Sequence, residues 1–90
     1  MKSEDIYGLV CEELIRARNK WPMYVNDIIH SAAIINEEAG ETIQAALDFT
    51  YDNGSKENVI KEAVQTAAMC FRLISNIDNL KAIKQTKRYE

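Results

Sequence analysis

Apolar residues recur along this chain at helical rather than strand spacing. Ile6, Val10, Leu14 and Ala17 stand at i, i+4, i+8 and i+11, the repeat of one helix face. Ser3 precedes that stripe as an N-cap candidate, with Glu4 and Asp5 in the first turn and Arg16, Arg18 and Lys20 near the end. Charges so placed complement the helix dipole, and the pattern predicts a first helix from about Glu4 to Asn19. Pro22 then breaks the chain within Lys20-Trp21-Pro22-Met23-Tyr24-Val25, which reads as a connection. Asn26 as cap, with Asp27 in the first turn, opens a second helix to about Tyr51. Ile28, Ala32, Ile35, Ala39, Ile43 and Ala46 line one of its faces. Asp52-Asn53-Gly54-Ser55 is the next interruption, and Ser55 caps a third helix to about Ile77. Its main stripe is Ile60, Val64, Ala67, Phe71 and Ile74, and the opposite face carries Glu62, Gln65, Met69, Arg72 and Asn76. Leu80 and Ile83 predict a short last helix, with residues 84–90 a frayed tail. No alternating β-branched run interrupts this series. The expectation is an all-α single domain over residues 1–90: an antiparallel bundle of three long helices plus a short C-terminal helix, completed by oligomerisation.

The oligomer follows from composition. Ninety residues bury a modest core, yet hydrophobic residues make up 47% of the chain. A second apolar face therefore needs covering. The net charge of −3 and a pI near 5.2 lack the basic footprint that binding to a nucleic acid polymer requires. The one basic cluster is Lys81, Lys84, Lys87 and Arg88, in the tail. Cys11 and Cys70 sit singly within helical patterns, which fits small apolar packing in a reducing, cytoplasmic setting rather than a disulfide framework. Charges at Lys2, Glu4 and Asp5 interrupt any N-terminal signal region, and no apolar run is long enough to span a membrane.

The chemistry concentrates in acidic positions. Glu37-Glu38-Ala39-Gly40-Glu41 lies inside the second helix, and Glu62 with Gln65 inside the third. Residues three apart share a helix face, so Glu38 pairs with Glu41, and Glu62 with Gln65. Glu38 and Glu41 share their arc with Ile34 and Ala45. A solvated face would intersperse lysine there, and clustered like charges destabilise a helix unless a cation compensates. Hard divalent ions favour such oxygen ligands. Simple surface solvation explains most acidic helices; the recurrence on the next helix is what weighs against it. A short turn can bring the two clusters together. Gly40 costs roughly 1 kcal/mol relative to alanine mid-helix, which points to close approach by a neighbouring helix or ligand. His30 has no companion ligand, and a surface or hydrogen-bonded role suits it better. Trp21 could stack on a base or anchor the core. Arg72 could pair with a phosphate or bridge subunits. No glycine-rich phosphate loop is present.

These motifs resemble the MazG-like all-α nucleoside triphosphate pyrophosphohydrolases, relatives of the dimeric dUTPases. Glu37-Glu38-Ala39-Gly40-Glu41 is similar to their EExxE motif, and Glu62-Ala63-Val64-Gln65 stands where they carry ExxD. Lys20-Trp21-Pro22 and Ala67-Ala68-Met69-Cys70-Phe71-Arg72 also resemble short, phage-type members, so the likeness runs from about residue 16 to 77. It implies four-helix units assembled as a homodimer or homotetramer. It further implies Mg²⁺-dependent hydrolysis of a nucleoside triphosphate to monophosphate and pyrophosphate, with Mn²⁺ as the alternative ion. By position Glu38, Glu41, Glu62 and Gln65 would be the metal ligands. Glu37, with Glu38, would serve catalysis, holding a second ion or orienting the attacking water. Trp21, Lys61 and Arg72 would contact the substrate, the last two through its outer phosphates. Gln65 departs from the family's aspartate and brings an oxygen without charge. That departure, with the short length, keeps open a non-catalytic reading: a helical oligomeric interaction module or a nucleotide-binding one.

Overall fold

The computed structural model describes residues 1–81. Helix α1 spans Ser3–Lys20, α2 Ile28–Tyr51 and α3 Lys56–Ser75, and a 3₁₀ turn follows at Ile77–Asn79. The described chain is all-helical, as the apolar period predicts.

The ends of the helices show which capping signals acted. At the start of α1 the Lys2 carbonyl accepts from Asp5 N and Ile6 N at 3.0 and 3.1 Å. Lys2 is the cap residue, and Ser3 is the first helical residue rather than a side-chain cap. Asp27, not Asn26, caps α2: its Oδ1 accepts from His30 N at 2.8 Å. Asn26 is engaged elsewhere, because its carbonyl accepts from Lys81 N at 2.6 Å while Ile28 N donates to Lys81 O at 3.0 Å. This short parallel bridge ties the end of the described chain to the entry of α2. Ser55 caps α3 as its position predicts, its Oγ accepting from Asn58 N at 3.0 Å. Between α2 and α3, Asp52 N and Gly54 N both donate to Asp48 O, at 2.8 and 2.9 Å. Asn53 takes the left-handed conformation at φ 60, the usual way to stop a helix. The expected C-terminal helix at Leu80 and Ile83 does not begin at Leu80, which is extended at φ −81, ψ 133. Ile83 and the tail 84–90 lie outside the described residues.

Helix α3 packs against both α2 and α1. Leu14 and Ala17 of α1 meet Ala68 and Met69 of α3, with Val10, Ile34 and Ile35 packed around them. The faces that pack differ from the apolar stripes. On α3 the inner side is the polar one, with Glu62, Gln65 and Thr66 half-buried and Met69 and Arg72 buried. The stripe expected inside is largely outside, Phe71 being 50% and Ile74 68% exposed. On α2 the inner row is Ser31, Ile34, Ile35, Glu38, Thr42 and Ala45, while Ala32, Ala46 and Ile43 face solvent, Ile43 at 63%. The chain leaves its strongest apolar stripes uncovered and turns Glu38 and Glu62 inward. Its radius of gyration is 16.0 Å, with extents of 54 × 28 × 23 Å, against about 12 Å for a compact domain of this length.

Two further expectations are corrected. Cys11 is exposed rather than packed, whereas Cys70 is half-buried; both are free thiols. A Cβ built at Gly40 meets nothing within 4 Å, so among the described residues no neighbouring helix approaches closely there. Among the described residues no helix is long and apolar enough to cross a membrane.

Candidate metal centre and adjoining cavity

Helices α2 and α3 form a hairpin across residues 52–55, and this brings the acidic positions together. Thr42 Oγ1 lies 3.1 Å from Thr66 Oγ1 across the helix interface. Each hydroxyl is also within reach of its own helix carbonyl one turn back, at Glu38 (3.2 Å) and Glu62 (3.0 Å). That contact fixes the two helices beside their carboxylates. Glu38, Glu41 and Glu62 each offer a carboxylate oxygen, and these oxygens all lie within 4.8 Å of one another. Glu38 and Glu62 are half-buried and Glu41 is exposed.

Among the described residues no cation forms a salt bridge with this group. Glu38 Oε2 and Glu62 Oε2 are buried without any hydrogen-bond partner, although buried polar atoms are nearly always paired. Burial, then the charges of Glu41, Glu62, Glu37 and Glu13, pushes the Glu38 carboxyl above its ordinary range. Burial also raises Glu62, helped by the close approach and charge of Glu41, with Glu13 adding to it and Lys61 opposing. The donor set fits a hard divalent cation. The three oxygens could converge on one such ion.

A cavity of about 380 Å³ adjoins the cluster. Glu37, Glu38 and Gln65 line it together with Glu13 and Arg16 of α1; Trp21, Met23, Tyr24, Met69 and Arg72 line it as well. The 21–25 connection is held over this space by three contacts. Tyr24 OH hydrogen-bonds the fully buried Ser31 Oγ of α2. Arg72 Nη2 donates to Trp21 O at 2.9 Å, and the Arg72 guanidinium lies 4.7 Å from the Tyr24 ring centre. Trp21 is 50% exposed, with the Lys20 ammonium 4.5 Å from its ring centre.

Of the site residues read from the sequence, Glu38, Glu41 and Glu62 meet in the cluster. Glu37, Gln65, Trp21 and Arg72 border the adjoining cavity. Lys61 lines a second groove with Glu12, Glu57 and Ile60, which shares Glu13 and Arg16 with the cavity. His30 is exposed. Glu13 was not legible as a site residue. Its oxygens take Arg16 Nε at 2.8 and 3.1 Å, an i, i+3 pair that in sequence looks like ordinary surface charge. The signal that could have marked it is its place beside Leu14, Val10 and Ala17 on the inward arc of α1. Tyr24 and Ser31 were also missed, being a contact between a loop and a helix. No family model, curated protein or solved structure matches this chain.

Proposed function

We propose that this chain is a Mg²⁺-dependent nucleoside triphosphate pyrophosphohydrolase of the MazG-like kind. The observation that carries the reading is the carboxylate triad Glu38, Glu41 and Glu62, with two buried, unpartnered oxygens, beside a cavity walled partly by aromatic rings. The motif resemblance supplies the reaction class. A bound divalent ion would contribute charge neutralisation to the phosphate oxygens.

The protein's own residues divide the remaining work. Glu38, Glu41 and Glu62 hold the cation, and Gln65 adds an uncharged oxygen at the cavity wall. Glu37 accepts the proton of the attacking water. Water oxygen bonds to the α-phosphorus, the bond to the bridging oxygen breaks, and that electron pair leaves with pyrophosphate. The cavity beside Trp21 and Tyr24 takes the nucleoside. Lys61 lines a neighbouring groove that shares Glu13 and Arg16 with this cavity, and its ammonium would meet the outer phosphates. Assembly as a homodimer or homotetramer covers Ile43, Phe71 and Ile74; the extended shape and the exposed stripes support it. Those same stripes are what favours the second reading, a non-catalytic interaction module.

Pyrophosphate release from ribo- and deoxyribonucleoside triphosphates, with Mg²⁺ and with EDTA, separates the two. The enzyme reading expects Mg²⁺-dependent release that disappears in Glu41→Ala with helicity kept. A folded, assembled protein that releases none from any nucleotide would favour the interaction module.

A further inference from the structure

Arg72 is a buried charge that leaves most of its hydrogen-bonding capacity unused. It is only 4% exposed. A guanidinium carries five N–H donors, and Arg72 gives one bond to a side chain or loop, from Nη2 to Trp21 O at 2.9 Å. The one ion pair among the described residues joins Arg16 to Glu13, not Arg72 to any carboxylate. The Arg72 guanidinium lies over the Tyr24 ring at 4.7 Å and meets no carboxylate, so its remaining donors are open to the acceptors of a ligand in the cavity that Arg72 borders.

Its place along α3 decides which part of a ligand it meets. Glu62, Gln65, Met69 and Arg72 follow at i, i+3, i+7 and i+10 and share a face. At 1.5 Å per residue Arg72 stands about 15 Å along the axis from Glu62. Burial lowers the Arg72 pKa, Tyr24 opposes that and Arg18 adds to it; the cluster's carboxylates are not among the groups acting on it. Phosphate oxygens that bind a Mg²⁺ ion sit about 2.1 Å from it. The phosphates therefore stay at the acidic end, and the opposite end of the nucleotide reaches Arg72. There Trp21 offers a flat apolar wall of the kind on which bases stack, with Met69 beside it.

Resting on the pyrophosphohydrolase reading, we propose that Arg72 is a specificity-determining residue that reads the nucleobase rather than the outer phosphates. It donates to a base with two adjacent acceptors, guanine O6 and N7 or cytosine O2 and N3. It disfavours adenine, whose polar edges place the 6-amino donor beside a ring nitrogen.

The test is kcat/KM for dGTP, dCTP, dTTP and dATP with Mg²⁺ in the wild type, Arg72→Met and Arg72→Lys. Wild type prefers dGTP or dCTP over dATP by about 5- to 100-fold, the discrimination of a bidentate arginine–base pair. In Arg72→Met that ratio collapses toward one. Arg72→Lys keeps the charge but loses the fork, so its ratio falls too, and it carries the comparison if Arg72→Met loses its helical circular dichroism. An equal loss for all four nucleotides, an unchanged ratio in the variants, or no base preference in the wild type overturns the proposal and leaves the pyrophosphohydrolase standing. Absence of turnover with every nucleotide overturns both.

Discussion

Replacing Glu62 with glutamine should make the metal-free protein more stable. The substitution keeps the shape and removes one charge from a triad whose oxygens lie within 4.8 Å of one another. At that separation two like charges repel by about 0.9 kcal/mol in water and about 3.5 kcal/mol at an effective dielectric of 20. Glu41 is exposed, so the aqueous limit is the safer figure. Glu62 takes part in two of the three repulsions, which gives Glu62→Gln a gain of roughly 1–2 kcal/mol. For a domain of this size each kcal/mol raises Tm by about 4–8 °C. The assay is thermal melting at pH 7.5 and fixed protein concentration, first in EDTA and then across a Mg²⁺ series. A cation at a hundred times its Kd stabilises the wild type by about 2.7 kcal/mol. Glu62→Gln, having lost a charged ligand, gains much less, and the order of the two melting temperatures inverts. An unchanged or lower Tm for Glu62→Gln in EDTA, or equal Mg²⁺ shifts in both proteins, would refute the reasoning.

Other outcomes follow from the same geometry. Burial and mutual charge raise the Glu38 and Glu62 carboxyls above the ordinary value of 4.5. A raised native pKa contributes stability that is full below the unfolded value and lost as pH rises through the native one. In EDTA, the stability gap between Glu38→Gln/Glu62→Gln and wild type should therefore widen upward from pH 4.5, as melting at stepped pH would show. Gly40→Ala should stabilise by about 1 kcal/mol, because a Cβ there meets open space; a loss of stability on urea titration would reveal close approach by another subunit. Gly54→Ala should destabilise by roughly 1–3 kcal/mol, since its Cβ would stand 2.8 Å from Asp48 C and Phe49 N, and the same titration measures it.

The helices were legible because their punctuation is local. Pro22 and Asp52–Ser55 stop the chain wherever they sit, and Ser55 needs only Asn58 to act as a cap. Asp27 displaced Asn26 because the Asn26 carbonyl pairs with Lys81, a contact fifty-five residues away that no window contains. Burial was the least legible property. Hydrophobic period identified Ile60, Phe71 and Ile74 as one face, but which face meets α1 and α2 depends on how three helices share their contacts. The carboxylates were legible for the opposite reason: i, i+3 spacing on α2 and a short turn suffice to bring Glu38, Glu41 and Glu62 together. Tyr24 and Ser31 reach the site through tertiary packing alone and left no such mark, whereas Glu13 shares an arc of α1 with Val10, Leu14 and Ala17.

The central claim is that the acidic centre cleaves between the α- and β-phosphates. ³¹P NMR of the protein with a nucleoside triphosphate and Mg²⁺ in ¹⁸O-water tests it most directly. The account predicts growing pyrophosphate and monophosphate signals, the label entering the monophosphate, and neither product with EDTA or in Glu41→Ala. Diphosphate and inorganic phosphate, label in pyrophosphate, or no product from any nucleotide with the protein folded would contradict it.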